Sequence, residues 1–587
     1  MHKLKAIPVA AYAAAGFAMG AIGPPAHADT PVILEGADDD ARDAVARLLP
    51  DRERPTTLFE AERIAEEAAE RASAWLRAEG YYQGAAIPQA EDNPPRAKVA
   101  IMLGPRFHFG PASIGYDGPA PTPAAQSAAA DAVTLAAPGA PGRAEAVLNA
   151  EAAAVASLRR DGYADAEAGE RRVVVDHADL SVTPAYQLRA GERVRLGELR
   201  ADPIDLFRDD FLERVRNWRE GDLFTPDHMA QLRRDMAATG AVARVSTRLE
   251  PRPGESGVRD VVLDIEPAKR RVFELGLGYS TTEGASIDVE WTRRNFSRRA
   301  DTLTLAVTLA ELKQGVTAEL ARPHAAGLGK TIHYTASAAR EDGGPYVRTG
   351  VSLAAAIEAA QRLAYAVTYG ASVSADTYTG AQPLQNALVL SGFGEVRRDT
   401  TGNPLDARSG EIVTLRLEPS ISTGDATIGF ARLTGDARVY HSFDDDLTLA
   451  GRVQAGWLSA FAGDENDTPP DRRFYAGGGG SVRGYSYNSI YPEARMAPGA
   501  TPGGQGLFEV SGEARYRVAG PIGVAAFIDG GNAFDDLSEA ADFKWGAGVG
   551  LRYDLGFAPL RVDIATPLNK SSGDPDFALY VSLGQAF

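Results

Sequence analysis

The residues with the most distinctive chemistry are a single arginine and the four glycines that precede it. Residues 477–480 are all glycine, and they are followed by Ser481, Val482, Arg483, Gly484 and Tyr485. Glycine permits positive φ angles and close approach to other backbone. The stretch therefore predicts a loop, within the polar and proline-rich segment at about 461–504, that packs into a cavity with Arg483 at its tip.

An arginine in a confined interior requires carboxylates opposite it, because an unpaired buried charge costs several kcal/mol. Residues 508–518 alternate polar and apolar side chains, with Glu513 on the polar face. Residues 524–531 place Asp529 on the face opposite their apolar side chains, and residues 559–565 repeat the alternation. We therefore predict strands here that anchor the arginine loop. The predicted anchor consists of Val482, Arg483, Gly484, Tyr485, Glu513, Asp529 and Gly530.

Motifs for catalysis or metal binding are missing from the sequence. The chain has no cysteine, and its eight histidines are scattered without metal-ligand spacing. Residues 327–331 resemble a phosphate-binding loop, but His324 stands where that motif requires its first glycine, so we interpret them as a hairpin turn. No Gly-x-Ser-x-Gly element occurs. The sequence thus predicts that the protein is not an enzyme, with no catalytic residue, cofactor or metal.

The length and charge of the chain limit its class. With 587 residues, the chain is too long for one hydrophobic core, so several domains are predicted. Its 79 acidic and 61 basic residues give a net charge of −18, which argues against a nucleic-acid partner.

The first 28 residues are typical of a secretory signal peptide. A basic start at 2–5 precedes an apolar run at 6–22, and residues 26–28 form a small-x-small cleavage site. The alternative is an N-terminal membrane anchor. No other apolar run approaches the roughly 20 residues of a spanning helix, so any membrane crossing by the mature chain is predicted to use strands.

Residues 29–268 contain an internal repeat with a period of about 80 residues. The element that ends in Gly80 recurs at Gly162 and, more weakly, at Gly240. Each copy predicts a short strand, two helices and two strands, and the third copy places its first helix at 209–218. We predict three domains, at 29–104, 105–191 and 192–268, and generic α+β domains are the alternative interpretation.

Residues 269–587 are predicted to form a transmembrane β-barrel. Helical periodicity ends near Arg271, and polar and apolar side chains then alternate to the end of the chain. Strands with one charged face and no helical partner indicate that one face meets water and the other meets lipid. We predict sixteen antiparallel strands, the first at 271–283 and the last at 577–586, with the Arg483 loop on the extracellular side after the eleventh. A soluble sandwich is the alternative, and it would carry larger aliphatic side chains on its core face.

Several of these motifs together resemble the outer-membrane insertase superfamily that includes BamA and TamA. The resemblance rests on residues 474–478, 482–485, 527–531 and 546–552 and on the terminal Phe587. It implies that the repeats are POTRA-like domains and that the barrel has a lateral seam between its first and last strands. Gly276 and Gly278 in the first strand, and Gly584 and Phe587 at the end of the last, are the seam residues that it implies.

The resemblance also implies a function. A client strand would pair with the exposed first strand without any nucleotide, and the POTRA-like domains would pass it along by strand addition. Three domains favour the TamA branch, because the BamA type carries five. The implied partners are a TamB-like periplasmic protein, unfolded outer-membrane or autotransporter clients, and outer-membrane lipids. A two-partner-secretion exporter, with two POTRA-like domains and a plug helix, is the main alternative; a diffusion porin or a structural barrel are the others.

Overall fold

The computed structural model describes residues 32–361, 364–380, 384–403, 405–497, 499–556 and 558–584. The predicted signal peptide at 1–28 and the terminal Phe587 lie outside these ranges. The chain forms two units, which are described in turn: residues up to Val194 together with Leu223–Thr225, and the remaining residues.

The first module is a three-stranded sheet with two helices. Its elements are β1 (Val32–Glu35), α1 (Asp39–Ala46), α2 (Leu58–Ala78), β2 (Ala85–Asp92) and β3 (Pro95–Met102). The strand order is β1-β3-β2, with β1 parallel to β3. Helix α2 begins after Thr57, whose side chain accepts a hydrogen bond from the backbone N–H of Glu60. The alanine-rich face of α2, which ends at Leu76, is buried with Val99 and Ile101 of the sheet, and this apolar stripe holds the helix in place.

The second module follows the same plan around a central last strand. Its elements are β4 (His108–Phe109), β5 (Ser113–Tyr116), α3 (Pro123–Ala132), a 3₁₀ helix (Val133–Ala136), α4 (Ala144–Arg160), β6 (Glu167–Ala168), β7 (Arg172–Asp176) and β8 (Ser181–Arg189). Strand β8 is parallel to β4 and β5 and antiparallel to β6 and β7. Tyr186 and Leu188 of β8 are buried with Ala150 and Ala154 of α4. Two short strands here replace the single first strand that the repeat predicts.

The third module belongs to the second unit. Its elements are β9 (Arg195–Asp202), α5 (Asp209–Val215), α6 (Pro226–Ala238), β10 (Val242–Pro251) and β11 (Val258–Pro267). Strand β9 is parallel to β11, as β1 is to β3. The helix predicted at 209–218 ends at Val215, because the backbone becomes extended at Arg216 and Trp218 turns inward to donate its indole N–H to the carbonyl of Gly197 at 2.9 Å.

The rest of the chain closes into an antiparallel barrel in which each strand pairs with the next and β12 meets β27. The strands are β12 (Arg271–Ser280), β13 (Gly284–Arg294), β14 (Thr302–Ala310), β15 (Lys313–Arg322), β16 (Lys330–Asp342), β17 (Val347–Gln361), β18 (Tyr365–Thr379), β19 (Asn386–Asp399), β20 (Gly410–Gly424), β21 (Ile428–Ser442), β22 (Leu447–Ala462), β23 (Gly506–Ala519), β24 (Ile522–Phe534), β25 (Lys544–Asp554), β26 (Pro559–Pro567) and β27 (Ala578–Leu583). The predicted fold class, three α/β modules followed by a sixteen-stranded barrel, is confirmed. Among the described residues the last strand ends at Leu583, and the next residue, Gly584, has φ +85°.

The two faces of the barrel wall differ in polarity. Along β20, Val413, Leu415 and Leu417 are exposed on the outer surface, while Arg416 and Glu418 face the interior and form an ion pair at 2.8 Å. The same alternation continues around the wall, and an apolar outer band with a polar lumen suits a barrel that is surrounded by lipid. Among the described residues, no helix is long and apolar enough to cross a bilayer.

A long loop between β22 and β23, residues 463–505, folds into the barrel. It contains short 3₁₀ turns at Glu465–Asp467, Pro470–Arg472 and Glu493–Met496. Phe474, Val482, Tyr485 and Ile490 are buried against apolar side chains of the wall such as Leu507. Because β12 follows the third module and successive strands alternate in direction, this loop enters from the end of the barrel opposite that module. We call it the glycine loop.

Candidate functional site

The glycine loop depends on glycine at its tip. Gly477, Gly478 and Gly484 have φ angles of +101°, +106° and +104°, a region that side-chain-bearing residues rarely adopt. A Cβ atom on Gly484 would also lie 2.9 Å from the carbonyl carbon of Thr566. The backbone can therefore make this turn beside the barrel wall only with glycine at position 484.

Arg483 is the centre of a buried ion cluster. Its side chain is 2% exposed, and it donates to both oxygens of Asp529, from Nε at 2.6 Å and from Nη2 at 3.0 Å. Nη1 donates to Glu513 at 3.0 Å and to Asp563 at 3.2 Å. The guanidinium carbon also lies 3.4 Å from the ring centre of Phe527. Three carboxylates from three strands and one aromatic face thus hold the loop against the wall.

Further arginines complete the cluster. Arg515 donates to Glu513 at 2.8 Å, and Arg552 bridges Glu513 and Asp563. The side chain of Glu513 is fully buried, and it accepts from three guanidinium groups, which balance its negative charge. Asp529 differs, since the hydrogen bonds that its carboxylate accepts among the described residues all come from Arg483, two from the guanidinium and one from the backbone N–H.

The predicted anchor residues do not all have the same role. Tyr485 donates to the side-chain oxygen of Asn569 at 2.9 Å, and Val482 is fully buried. Gly530 makes room for a different residue, because a Cβ there would lie 2.6 Å from the Trp545 ring. The space for Val482 comes from the next residue, Gly531, where a Cβ would lie 2.9 Å from it.

Sequence reasoning missed several members of this cluster: Phe527, Asp563, Arg515 and Arg552. A signal for Asp563 was available, since the alternation of 559–565 puts Arg561 and Asp563 on the polar face together. The alternation alone left open which polar residues of the wall meet the loop.

The barrel is weakly closed where its first and last strands meet. Among the described residues, β12 and β27 pair at two positions, Tyr279 with Val581 and Ser280 with Tyr580. On its other side, β12 pairs with β13 along its whole length. Gly276 and Gly278 therefore have no ladder partner among the described residues of the last strand.

The seam glycines lie in different surroundings. Continuing the observed register would bring Gly584 opposite Gly276, but the ladder stops before that point. Instead, Gly584 donates its N–H to the carbonyl of Pro559 in β26 at 2.9 Å, and Leu405 lies close to it. Gly276 lies beside Asp288 of β13. The structure thus does not bring Gly584 together with Gly276 and Gly278.

The glycine loop is bonded to both sides of this seam. The N–H of Gly479 donates to Glu283, in the turn after β12, at 2.6 Å. The N–H of Gly484 donates to the hydroxyl of Tyr580 in β27 at 3.1 Å. The residue next to Gly484 is Arg483, so the ion cluster and the seam contacts belong to one short segment.

A closed barrel of sixteen strands with an apolar outer surface, a polar lumen and α/β modules before its first strand defines an outer-membrane β-barrel protein whose modules are periplasmic. Residues 295–587 match the family model described as the Omp85 superfamily domain. The chain is a member of the Omp85 superfamily.

The relatives that this chain resembles are barrels of the same kind. It is 23% identical over 457 residues to the outer membrane protein assembly factor BamA of Nitratidesulfovibrio vulgaris, a match that covers 73% of this chain and 55% of that protein. The chain thus spans little more than half the length of this curated relative. It resembles the crystal structure of Haemophilus ducreyi BamA lacking POTRA domains 1–3, with a TM-score of 0.65 and 16% identity, covering 81% of this chain and 100% of that one. CdiB from Acinetobacter baumannii is more distant, with a TM-score of 0.47, 14% identity and 82% and 90% coverage.

Proposed function

We propose that this protein assembles or secretes other outer-membrane proteins, and that their strands enter through the seam between β12 and β27. In this proposal the role is not enzymatic and needs no nucleotide. The single observation that supports it best is the short ladder of the seam, in which the described residues form two pairs, where β12 and β13 share ten.

The short ladder leaves a strand edge that a client can use. A strand edge without partners in the hydrocarbon region leaves backbone polar groups unsatisfied, at a cost of several kcal/mol each. Among the described residues, Gly276 to Gly278 form such an edge, since residues 582–584 do not pair with them. An incoming antiparallel strand would satisfy these groups, so pairing with a client is favourable at this place on the wall.

The glycine loop would control this entrance. Its two hydrogen bonds to Glu283 and Tyr580 join the two sides of the seam, and its ion cluster fixes it to β23, β24 and β26. Separating β12 from β27 must break at least one of the two seam contacts. In this proposal the Arg483 cluster keeps the loop in place while the seam opens beside it.

The finer assignment follows the resemblance. Three modules support membership of the TamA branch, with a TamB-like periplasmic protein as partner and autotransporters or other unfolded barrels as clients. Domain boundaries at 29–104, 105–191, 192–268 and 269–587 are part of the same proposal, as is removal of residues 1–28. Co-purification from native membranes tests the partner.

Locking the seam tests the proposal. The chain has no cysteine, so Tyr279→Cys with Val581→Cys, a directly paired position, would introduce the sole disulfide. We expect client assembly to stop under oxidising conditions and to return after reduction. Each single cysteine variant is the control and should stay active throughout.

Two results would contradict lateral entry. Full client assembly by the disulfide-locked protein would show that the seam does not need to open. Large, steady conductance steps in a planar bilayer, unchanged by the lock, would favour an exporter that passes its client through the lumen, as in two-partner secretion. That route would require the glycine loop to leave the lumen.

A further inference from the structure

A cavity of about 410 Å³ with charged residues in its lining lies on the lumen side of the seam, behind the point where pairing of β12 with β27 stops. Gly278 and Ser582 line it next to the seam, and Arg561 lines it from β26. Arg561 and Ser582 are partners in the ladder between β26 and β27. Gly278 and Ser582 are both small, so neither residue blocks the space between the unpaired edge of β12 and the guanidinium of Arg561.

Arg561 is a buried cation whose hydrogen-bonding capacity is largely unused. It is 8% exposed, and among the described residues its Nε and Nη1 atoms have no hydrogen-bond partner. Its nearest carboxylate is Asp563, with Oδ2 at 3.5 Å from Nε, but Asp563 already accepts from Arg483 and Arg552. A buried guanidinium in this state gains much from an anion that accepts from its free N–H groups.

The other charges of the cavity favour a singly charged anion. Two glutamates and Lys313 also line it. Glu341 faces Lys313 across the ladder and accepts from the hydroxyl of Tyr487, and Glu283 accepts from the N–H of Gly479. These carboxylates would repel a phosphate group with its charge of nearly two, whereas a carboxylate needs only the one guanidinium.

We infer that this cavity is a carboxylate-binding site, with Arg561 as its main binding group, and that the carboxylate belongs to an extended peptide seated at the free edge of β12. The second half of this inference rests on the proposed function. Arg561 then recognises the incoming strand by its charge, while the edge of β12 binds its backbone without regard to sequence.

The test uses two labelled peptides and the full-length protein in detergent micelles. Both peptides are nine residues of alternating threonine and valine with an amidated C-terminus, and they carry aspartate or asparagine at the second residue, because a strand antiparallel to β12 has its N-terminal end beside Gly278. Binding is followed by fluorescence anisotropy. We expect the aspartate peptide to bind about tenfold more tightly, the size expected for a hydrogen bond to a charged group. Arg561→Gln should remove the difference, and Arg561→Lys should retain part of it.

Arg438→Gln is the matched control, because Arg438 is an arginine of β21 that pairs with Asp436 and does not line the cavity. Equal affinity of the two peptides for the unaltered protein would overturn the site, whether or not the variants fold. Displacement of the aspartate peptide by inorganic phosphate, with acetate ineffective at the same ionic strength, would instead assign the site to a phosphate such as that of a lipid headgroup. Absence of the preference for the aspartate peptide in the unaltered protein, together with normal client assembly, would reject the site and leave the proposed function intact.

Discussion

Replacing Arg483 with alanine is expected to release the glycine loop from the barrel interior. Glu513 and Asp563 keep other arginine partners after the change. Asp529 loses its ion pair with Arg483 and both guanidinium hydrogen bonds, and it keeps one hydrogen bond from the backbone N–H of residue 483 at 3.3 Å. Leaving one buried charge without its partner costs about 3–5 kcal/mol. The equilibrium between docked and released loop should therefore shift by a factor of roughly 10² to 10³ or more.

Proteolysis of the loop measures this shift. Tyr485 is 1% exposed in the docked loop, so chymotrypsin can cut after it only when the loop leaves the lumen. When docking is fast relative to cleavage, the rate of cutting follows the population of the released loop. We expect the cutting rate of Arg483→Ala to rise about a hundredfold or more, while the heat-resistant migration of the barrel on gels shows that the wall is still folded.

A second substitution distinguishes loss of the ion cluster from a general loss of stability as the cause of faster cutting. Adding Asp529→Ala removes the stranded carboxylate, so the double variant should be cut more slowly than Arg483→Ala alone. Arg438→Ala, which removes a lumen arginine outside the cluster, should leave the rate unchanged. Cutting of Arg483→Ala within threefold of the unaltered protein would refute the role assigned to the cluster.

Three further outcomes are expected. Gly484→Ala should raise loop cleavage strongly, since φ is +104° there and the added Cβ would meet backbone atoms. Gly480→Ala should have little effect, because nothing lies within 4 Å of its Cβ position. Equal effects of the two substitutions would contradict the packing argument. Tyr580→Phe removes one hydrogen bond to the loop and should raise cleavage by about fivefold, corresponding to about 1 kcal/mol; an unchanged rate would argue against the contact across the seam. The hydrogen bond from Arg299 lowers the pKa of Asp210, so its contribution to stability is present at neutral pH and is lost as the pH falls below about 4. Asp210→Asn should thus reduce the unfolding free energy in urea at pH 7 by less than about 1 kcal/mol, because the pair is exposed, and by less still at pH 3; a larger loss at pH 3 would reverse the assigned sign.

Much of the fold was predictable because it follows from local patterns. Alternation such as that of Val413, Leu415 and Leu417 is decided by neighbouring residues, and it predicts a two-faced strand wherever the strand lies. Gly240 has φ +67° at the end of α6, so the helix boundary was also a local property. The helix predicted to reach Trp218 stopped early because a distant carbonyl bonded that side chain, which no local pattern contains.

The candidate site was predictable only in part. Polarity marked Arg483, Glu513 and Asp529 as inward-facing, but Asp563 joins them because β26 lies where the loop descends. Gly530 and Gly584 have roles set by neighbours that are remote in sequence, Trp545 for the first and Leu405 for the second.

The sequence by itself determined that this chain makes a lipid-facing wall of sixteen strands behind three modules, because side-chain alternation and helix periodicity are properties of adjacent residues. Only the tertiary structure decided that the described residues of the seam pair as Tyr279 with Val581 and Ser280 with Tyr580. It also decided that one loop bonds to Glu283, 196 positions away, and to Tyr580, 96 positions away. Those contacts depend on the register with which the whole barrel closes, and closure is set by all sixteen strands together.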